Sequence, residues 1–152
     1  MAKGLEDTAL YVYNRFISLN EVGGQPERFG TPLAAFHRFI ARRFATHPHS
    51  MNATATHDTK RGEDFRARLD VLSEIPRQWA RILKTWSRAN RVLKRTVHDK
   101  SCPEANDEYF LYQTLVGSYP LDVTEQAGYL DRLRSYLIKA TREAKTYTSW
   151  LK

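Results

Sequence analysis

Apolar residues recur at helical spacing through most of the chain and predict about six helices. The first is expected from Glu6 to about Leu19 and ends before the pair Gly23-Gly24. Thr31 and Pro32 suit the N-cap and the first position of a second helix. We expect this second helix to bury one face, formed by Phe36, Phe39, Ile40 and Phe44.

Two helices are predicted in the middle of the chain. The charged residues 60–64 open the third helix, whose apolar face carries Phe65, Leu69 and Leu72. Pro76 starts the fourth helix, in which an apolar and a basic stripe run about half a turn apart. The apolar stripe comprises Trp79, Ile82, Leu83, Trp86, Asn90 and Leu93.

After a predicted loop from Asp99 to Pro103, two more helices complete the pattern. The fifth spans Glu104 to about Tyr119 and is rich in aromatic residues. Its aromatic face suggests either a hydrophobic core or a platform for stacking sugar rings, and the core is the commoner role. A capping box at 122–125 predicts the last helix, with an inward face of Leu130, Leu133, Leu137, Ala140 and Ala144.

One stretch, residues 51–56, alternates Met or Ala with Asn or Thr in the manner of a strand. The predicted fold class is therefore mainly α, with about six helices and at most this one short strand. A lone strand cannot satisfy its own backbone groups. The chain, a single domain over residues 1–152, is interpreted either as a fragment of a larger protein or as a helical domain with an irregular 51–56 segment.

Groups that can do chemistry follow this stretch at once, namely His57, Asp58, Lys60 and Arg61. Asp58 is a candidate to act on a substrate, with His57 as a neighbouring hydrogen-bond donor. The alternative is that Asp58 caps the third helix, a role that Asp often fills. A metal site formed by His47, His49, His57 and Asp58 is a further alternative, since His-x-His on an extended chain points both rings the same way.

The net charge of +7 is concentrated in one region. Between Arg77 and Lys100 there are eight basic residues and one acidic residue. This stripe could follow a nucleic-acid backbone or form a solvated outer face. The aromatic residues of the fourth helix lie on its other side, where they would not serve as stacking platforms for bases.

The single cysteine, Cys102, excludes an internal disulfide and a cysteine-based zinc site. No apolar run approaches the length that spans a bilayer, and the first residues lack the apolar core of a signal peptide. The expectation is a cytoplasmic protein with no membrane partner.

Several segments together resemble the maltooligosyltrehalose synthases of the α-amylase family, glycoside hydrolase family 13. The resemblance covers essentially the whole chain and keeps the same order. Its segments are 1–11, 18–24, 55–68, 108–117, 139–145 and 148–150, of which 55–68 (ATHDTKRGEDFRAR) matches the fourth characteristic motif of the family.

This resemblance implies roles for five residues. Asp58 aligns with the third catalytic carboxylate, which holds the substrate and favours its cation-like transition state, and His57 with the histidine that hydrogen-bonds the sugar in the cleaving subsite. Lys60, Arg61 and Lys3 are placed near the acceptor glucose. The implied substrate is a maltooligosaccharide or α-1,4-glucan, and the implied reaction, an intramolecular transglucosylation that forms a terminal trehalose unit, needs no metal or cofactor.

The resemblance also implies that two of the catalytic residues lie outside this chain. The nucleophile and the general acid belong to earlier strands of a (β/α)8 barrel, of which this chain carries a late strand and the helical insertion around it. We therefore expect the isolated chain to be inactive, with the remainder of the enzyme as its partner. Two other interpretations stay open: a basic helical module that binds nucleic acid, and a helical scaffold that forms homo-oligomers through exposed barrel-facing surface.

Overall fold

A computed structural model describes residues 2–151 and shows, within that range, six α-helices and one two-stranded sheet. The mainly helical class predicted from the sequence is confirmed. Short 3-10 turns lie at 17–19, 71–73, 91–93 and 123–126. The longer elements are α1 (Ala2–Val12), α2 (Leu33–Thr46), α3 (Glu63–Asp70), α4 (Pro76–Asn90), β1 (Arg95–Val97), β2 (Lys100–Cys102), α5 (Ala105–Ser118) and α6 (Tyr129–Ala144).

Helix α5 is the centre of the core. Phe110 and Tyr112 are buried, as their place on an aromatic helix predicts, so these two rings are core residues and not sugar platforms. Helix α3 packs on α5, and α1 packs on α6. Leu69 of α3 is completely buried against this core. Burying a side chain of this size stabilises the fold by about 1.5–3 kcal/mol.

The apolar stripe of α4 faces the core only in part. Trp79 is buried, and its ring meets Trp86 edge to face at 5.9 Å between centroids. Trp86 in turn meets Tyr112 at 5.3 Å. Ile82 and Leu93 are exposed, so the contact between α4 and the core is narrower than the sequence predicts.

Gln113 ties the segment after α1 to the core. Its side-chain oxygen accepts the backbone N–H of Ile17 at 2.9 Å, and its amide nitrogen donates to the carbonyl of Asn14 at 2.9 Å. Asn20 donates to the carbonyls of Leu10 and Tyr13 at 2.8 and 2.7 Å. These amides fix residues 14–20.

The side chains of Asn14 and Asn20 explain why the first helix ends earlier than predicted. It stops at Val12 rather than near Leu19, and only a 3-10 turn forms at 17–19. Asn14 and Asn20 bond to backbone carbonyls that a continuing helix would use for its own ladder.

The predicted strand over 51–56 is wrong for this chain. These residues form no strand and are exposed. Thr54 bonds through its hydroxyl to Glu63 and through its carbonyl to Arg66. The threonines of the stretch thus use local partners in place of a neighbouring strand.

Two predicted helix faces are also corrected. The face of α2 is not buried: Phe36, Phe39, Ile40 and Phe44 are 44 to 73% exposed. Helix α6 begins at Tyr129, since Asp122 caps a 3-10 turn through Thr124 N at 2.8 Å and Gly128 then takes a left-handed conformation with φ of 73°. Leu130 is exposed rather than inward-facing, whereas Ala140 is buried as predicted.

The small sheet was not predicted: β2 lies inside the stretch predicted as a loop, Asp99 to Pro103, and β1 lies before it. β1 pairs antiparallel with β2, with Thr96 opposite Ser101. His98 and Asp99 both have positive φ, 47° and 62°, the conformation of a two-residue hairpin turn. Among residues 2–151 no helix is long and apolar enough to cross a membrane.

Candidate active-site segment

His57 and Asp58 lie at the tip of a tight turn. The carbonyl of Thr56 accepts the backbone N–H of Thr59 at 3.2 Å and its hydroxyl at 2.7 Å, and the Thr56 hydroxyl accepts Asp58 N at 3.3 Å. His57 Nε2 lies 3.5 Å from Asp58 Oδ2, and the two side chains are 92% and 44% exposed. The turn therefore presents both groups on the outside of this chain.

The alternative in which Asp58 caps α3 is wrong. α3 begins at Glu63, and the residue at its N-cap is Gly62. Asp58 lies four residues before that position.

Glu21 fixes the backbone that follows the turn. Its two carboxylate oxygens accept Lys60 N at 2.8 and 3.0 Å, and one of them also accepts Arg61 N at 3.4 Å. The Lys60 ammonium forms an ion pair with Asp7 and lies 5.9 Å from the centre of the Tyr11 ring. Burial raises the pKa of Tyr11 to about 12, so this phenol is neutral at physiological pH.

Arg61 is buried beneath the segment, with 6% of its surface exposed. One terminal nitrogen donates to the carbonyl of Asn20 at 3.1 Å, and the other donates to the hydroxyl of Tyr136 at 3.3 Å. The guanidinium lies 5.6 Å from the ring centre of Phe65 and 5.8 Å from that of Phe110. Arg61 therefore joins the candidate active-site segment, residues 56–61, to α5 and α6.

Four of the five predicted site residues thus lie on one short segment. The side chains of His57 and Asp58 are exposed, whereas those of Lys60 and Arg61 bond to other residues of this chain. The side chain of the fifth, Lys3, lies outside the described part of the chain. The supporting residues Asp7, Asn20 and Glu21 were not among the predicted site residues. One signal in the sequence pointed to Asn20 and Glu21: both lie close to Gly23-Gly24, in a segment that carries the resemblance. Asp7 lies in another such segment, 1–11.

The histidines near the end of α2 do not join the site as metal ligands. His47 Nδ1 lies 2.9 Å from the hydroxyl of the neighbouring Thr46. Over residues 2–151 no three His, Cys, Asp or Glu side chains are grouped to hold a metal ion. The alternative of a metal site at His47, His49, His57 and Asp58 is therefore wrong.

The basic face of α4 is solvent-exposed. Tyr109 and Tyr112 of α5 line the same 490 Å³ groove as this face. However, Tyr112 is buried, and its hydroxyl donates to Glu108 at 2.6 Å. Its ring is thus not accessible as a base-stacking platform. The exposed cations of the basic stripe are Arg77, Arg81, Lys84 and Arg88 in α4, followed by Arg91 and Arg95 beyond its end.

Comparison with known proteins gives one consistent result. The chain is 42% identical over 149 residues to a Mycobacterium tuberculosis protein named provisionally as a maltooligosyl trehalose synthase, covering 98% of this chain and 18% of that protein. No protein-family model matches it.

Solved structures agree in fold as well as in sequence. A maltooligosyl trehalose synthase of Sulfolobus tokodaii, described as hypothetical, matches 97% of this chain and 19% of its own, with 44% identity and a TM-score of 0.80. The Arthrobacter ramosus maltooligosyltrehalose synthase matches 100% of this chain and 18% of its own, with 38% identity and a TM-score of 0.77. The chain thus spans less than a fifth of each relative, and it matches an internal segment of maltooligosyl trehalose synthase.

Proposed function

We propose that the chain supplies one wall of the active site of a maltooligosyl trehalose synthase. The enzyme would be an isomerase, an intramolecular transferase of glycoside hydrolase family 13, that converts the reducing-end α-1,4 linkage of a maltooligosaccharide to an α,α-1,1 linkage. The observation that carries the proposal is the fixed turn at 56–59, which presents Asp58 beside His57 on the outside of a segment that matches this enzyme throughout.

Asp58 would act as the third carboxylate of the reaction. Glucosyl transfer passes through a transition state with positive charge on the sugar ring. A carboxylate held in place before the reaction stabilises that charge without having to reorganise. His57, beside it, would donate a hydrogen bond to a hydroxyl of the same sugar.

Lys60 is proposed to contact the acceptor glucose. An ammonium has three N–H donors, and the ion pair with Asp7 engages one of them. The remaining donors are proposed to bond to sugar hydroxyls. Arg61 and Lys3 belong to the same proposed acceptor region, but the burial of Arg61 makes its contribution one of positioning the segment.

The nucleophile and the general acid would come from the remainder of the enzyme, in the barrel that this segment joins. Retaining glucosyl transfer uses two carboxyl groups, about 5–5.5 Å apart, that flank the glycosidic bond to be cleaved. The third carboxylate does not replace either of them, so the isolated chain is proposed to be inactive. The proposed reaction rearranges one molecule and consumes no oxidant or reductant, so it requires no cofactor. A reducing cytoplasm fits the single cysteine.

The experiment is a segment exchange. The matching segment of the Sulfolobus tokodaii relative is replaced by residues 1–152 of this chain, and the hybrid is assayed with maltopentaose for loss of reducing ends. We expect the hybrid to be active and the isolated chain to be inactive. Asp58→Asn in the hybrid should lower turnover by roughly 100-fold or more.

Asp99→Asn is the matched control, because it makes the same chemical change in the turn between β1 and β2, where Asn also accepts positive φ. This variant should keep full activity. A folded hybrid in which Asp58→Asn stays fully active would remove Asp58 from the catalytic set. Circular dichroism establishes folding in each case.

Nucleic-acid binding is the second candidate function, and the exposed basic face of α4 favours it. Binding to a phosphate backbone weakens steeply as salt concentration rises. A duplex DNA titration at two salt concentrations tests this candidate. Salt-dependent binding that is lost on charge reversal of Arg81 and Arg88 would support it.

A further inference from the structure

A second cavity lies beside the active-site segment, on the side of Arg61. Its volume is about 320 Å³, and it is bounded by α3, α5, α6 and residues 60–62. Three cations line it, together with four hydroxyl groups, and none of the described residues that line it is Asp or Glu. These polar residues are Lys60, Arg61, Arg132, Thr114, Ser118, Tyr129 and Tyr136.

The guanidinium of Arg61 is buried without a counter-ion. Its partners, the Asn20 carbonyl and the Tyr136 hydroxyl, are both neutral. No carboxylate of residues 2–151 forms an ion pair with it, and its Nε is buried without a hydrogen-bond acceptor. A guanidinium has five N–H donors, of which two are engaged here. Burying such a charge without pairing costs free energy, so the arrangement favours an anion beside it.

Arg132 adds a second uncompensated charge to the same cavity. Its two terminal nitrogens donate to the carbonyls of Ala127 and Glu125 at 3.3 and 3.2 Å. These acceptors are also neutral. Within residues 2–151, Lys60 is the one cation of the three with a carboxylate partner, which is Asp7. The cavity therefore carries an excess of positive charge.

One hydroxyl group of the cavity, that of Tyr136, can add a donor to those of the cations. The Tyr136 hydroxyl accepts from Arg61, so its own hydrogen can be donated to another group. Burial raises the pKa of Tyr136, although the nearby charges of Arg61 and Lys60 act against it, so the phenol keeps its proton. Ser118 donates its hydrogen to the carbonyl of Thr114 at 2.6 Å, so Tyr129 donates to Ser118 at 2.9 Å and both hydrogens are used within the chain.

We propose that this cavity binds an oxyanion, a carboxylate or a phosphate group, between Arg61 and Arg132. Nε and one terminal nitrogen of a guanidinium match the two oxygens of such a group side by side. The group could belong to a free small molecule or to an acidic side chain from the remainder of the longer enzyme. The cavity shares Lys60 and Arg61 with the proposed acceptor region, but Asp58 does not line it and anion binding is measured without any sugar.

Inorganic phosphate is the first probe. It is titrated into the isolated chain at constant ionic strength, and binding is followed by thermal unfolding and by the ¹H–¹⁵N resonance of Arg61 Nε–H. We expect a saturable rise in melting temperature and a shift of that resonance. Unsaturable stabilisation without a resonance shift would be a general salt effect and would overturn the proposal.

Arg132→Gln tests the site without disturbing the core, since Arg132 is exposed. It should weaken phosphate binding at least tenfold. Arg134→Gln, an exposed arginine of the same helix that does not line the cavity, should leave binding unchanged. Equal binding by the wild type and Arg132→Gln would overturn the proposal.

The same titration of the segment-exchange hybrid distinguishes the two sources of the oxyanion. If the hybrid still binds phosphate, the occupant is a free anion. If only the isolated chain binds it and Arg132→Gln lowers the melting temperature of the hybrid, the occupant is an acidic side chain of the longer enzyme. Phosphate binding and melting temperature are measured without any enzyme turnover. The test of the anion site is therefore independent of the synthase proposal.

Discussion

Glu21 and Lys60 are separated by 39 residues, yet both carboxylate oxygens of Glu21 accept the same backbone N–H of Lys60, at 2.8 and 3.0 Å. The contact joins the loop after α1 to the segment that carries Asp58. The position of Asp58 is thus set by a residue outside its own segment.

Replacing Glu21 with Ala should lower the free energy of unfolding by about 1–2 kcal/mol, because it removes a charged acceptor from three backbone N–H groups, those of Val22, Lys60 and Arg61. Glu21→Gln keeps one oxygen and should recover part of the loss. Urea denaturation of the isolated chain measures both. Glu27→Gln, at an exposed loop position, serves as control and should change stability by less than about 0.5 kcal/mol. Equal stability of Glu21→Ala and the wild type would show that the contact does not hold the segment.

Glu108 and Lys94 predict a pH dependence. Lys94 Nζ lies 2.7 Å from the Glu108 carboxylate. Burial acts to raise the pKa of Glu108, but hydrogen bonds from Lys94 and Tyr112 outweigh it and the pKa lies below its usual value. A carboxyl with a lowered folded-state pKa stabilises the fold above its unfolded pKa of about 4.3, and this stabilisation is lost as pH falls through the folded pKa.

Glu108→Gln should therefore be less stable than the wild type at pH 7, and the difference should narrow below about pH 4. Urea denaturation between pH 3 and 7 measures the difference directly. A constant difference over this range would assign the loss to packing and not to charge. Lys94→Met, which leaves the carboxylate buried without its partner, should cost about 3 kcal/mol at pH 7.

Gly117 allows α3 to approach α5. A Cβ at this position would lie 2.7 Å from the ring of Phe65. Gly117→Ala should therefore lower the free energy of unfolding by about 1–3 kcal/mol, since the ring is packed between α5 and Arg61. Gly4→Ala, in α1 with no atom within 4 Å of the new Cβ, should be neutral or stabilising. Thermal unfolding should show a lower melting temperature for Gly117→Ala and an equal or higher one for Gly4→Ala if the close approach is the cause.

The exposed apolar face of α2 predicts concentration-dependent association of the isolated chain. Phe36, Phe39 and Phe44 are 50, 59 and 73% exposed on one helix. Sedimentation velocity should show an average mass that rises with concentration, and Phe39→Glu should reduce it. Leu121→Glu, an exposed apolar residue outside α2, is the control and should leave association unchanged. A monomer at all concentrations would exclude the homo-oligomer suggested by the sequence.

The helices of the core could be predicted because the apolar residues that show their periodicity are the ones buried in the folded chain. Leu69, Leu72 and Trp79 are buried, and Pro76 begins α4, all as the periodicity predicts. The same reasoning failed for α2, since periodicity shows that a face is apolar but not whether this chain contains its partner. Helix class and core position follow from local pattern, whereas contact between elements does not.

The short strands and the long-range side-chain contacts could not be predicted from the sequence, for a different reason. β1 and β2 have three residues each, too few to show alternation, and their turn uses His98-Asp99 rather than a glycine pair. The roles of Glu21 and Arg61 depend on contacts over 39 and 75 residues. The resemblance placed Asp58 and His57 on a site segment, but only the structure shows what holds that segment.

The isolation of α2 has a consequence for the local stability of the chain. Helix 33–46 has no buried side chain, so the core contributes little to keeping it folded. A helix of 14 residues is marginal in water without tertiary support. Its backbone amides should exchange with deuterium far faster than those of α5, and the helix should open in separate events while the rest of the chain stays folded.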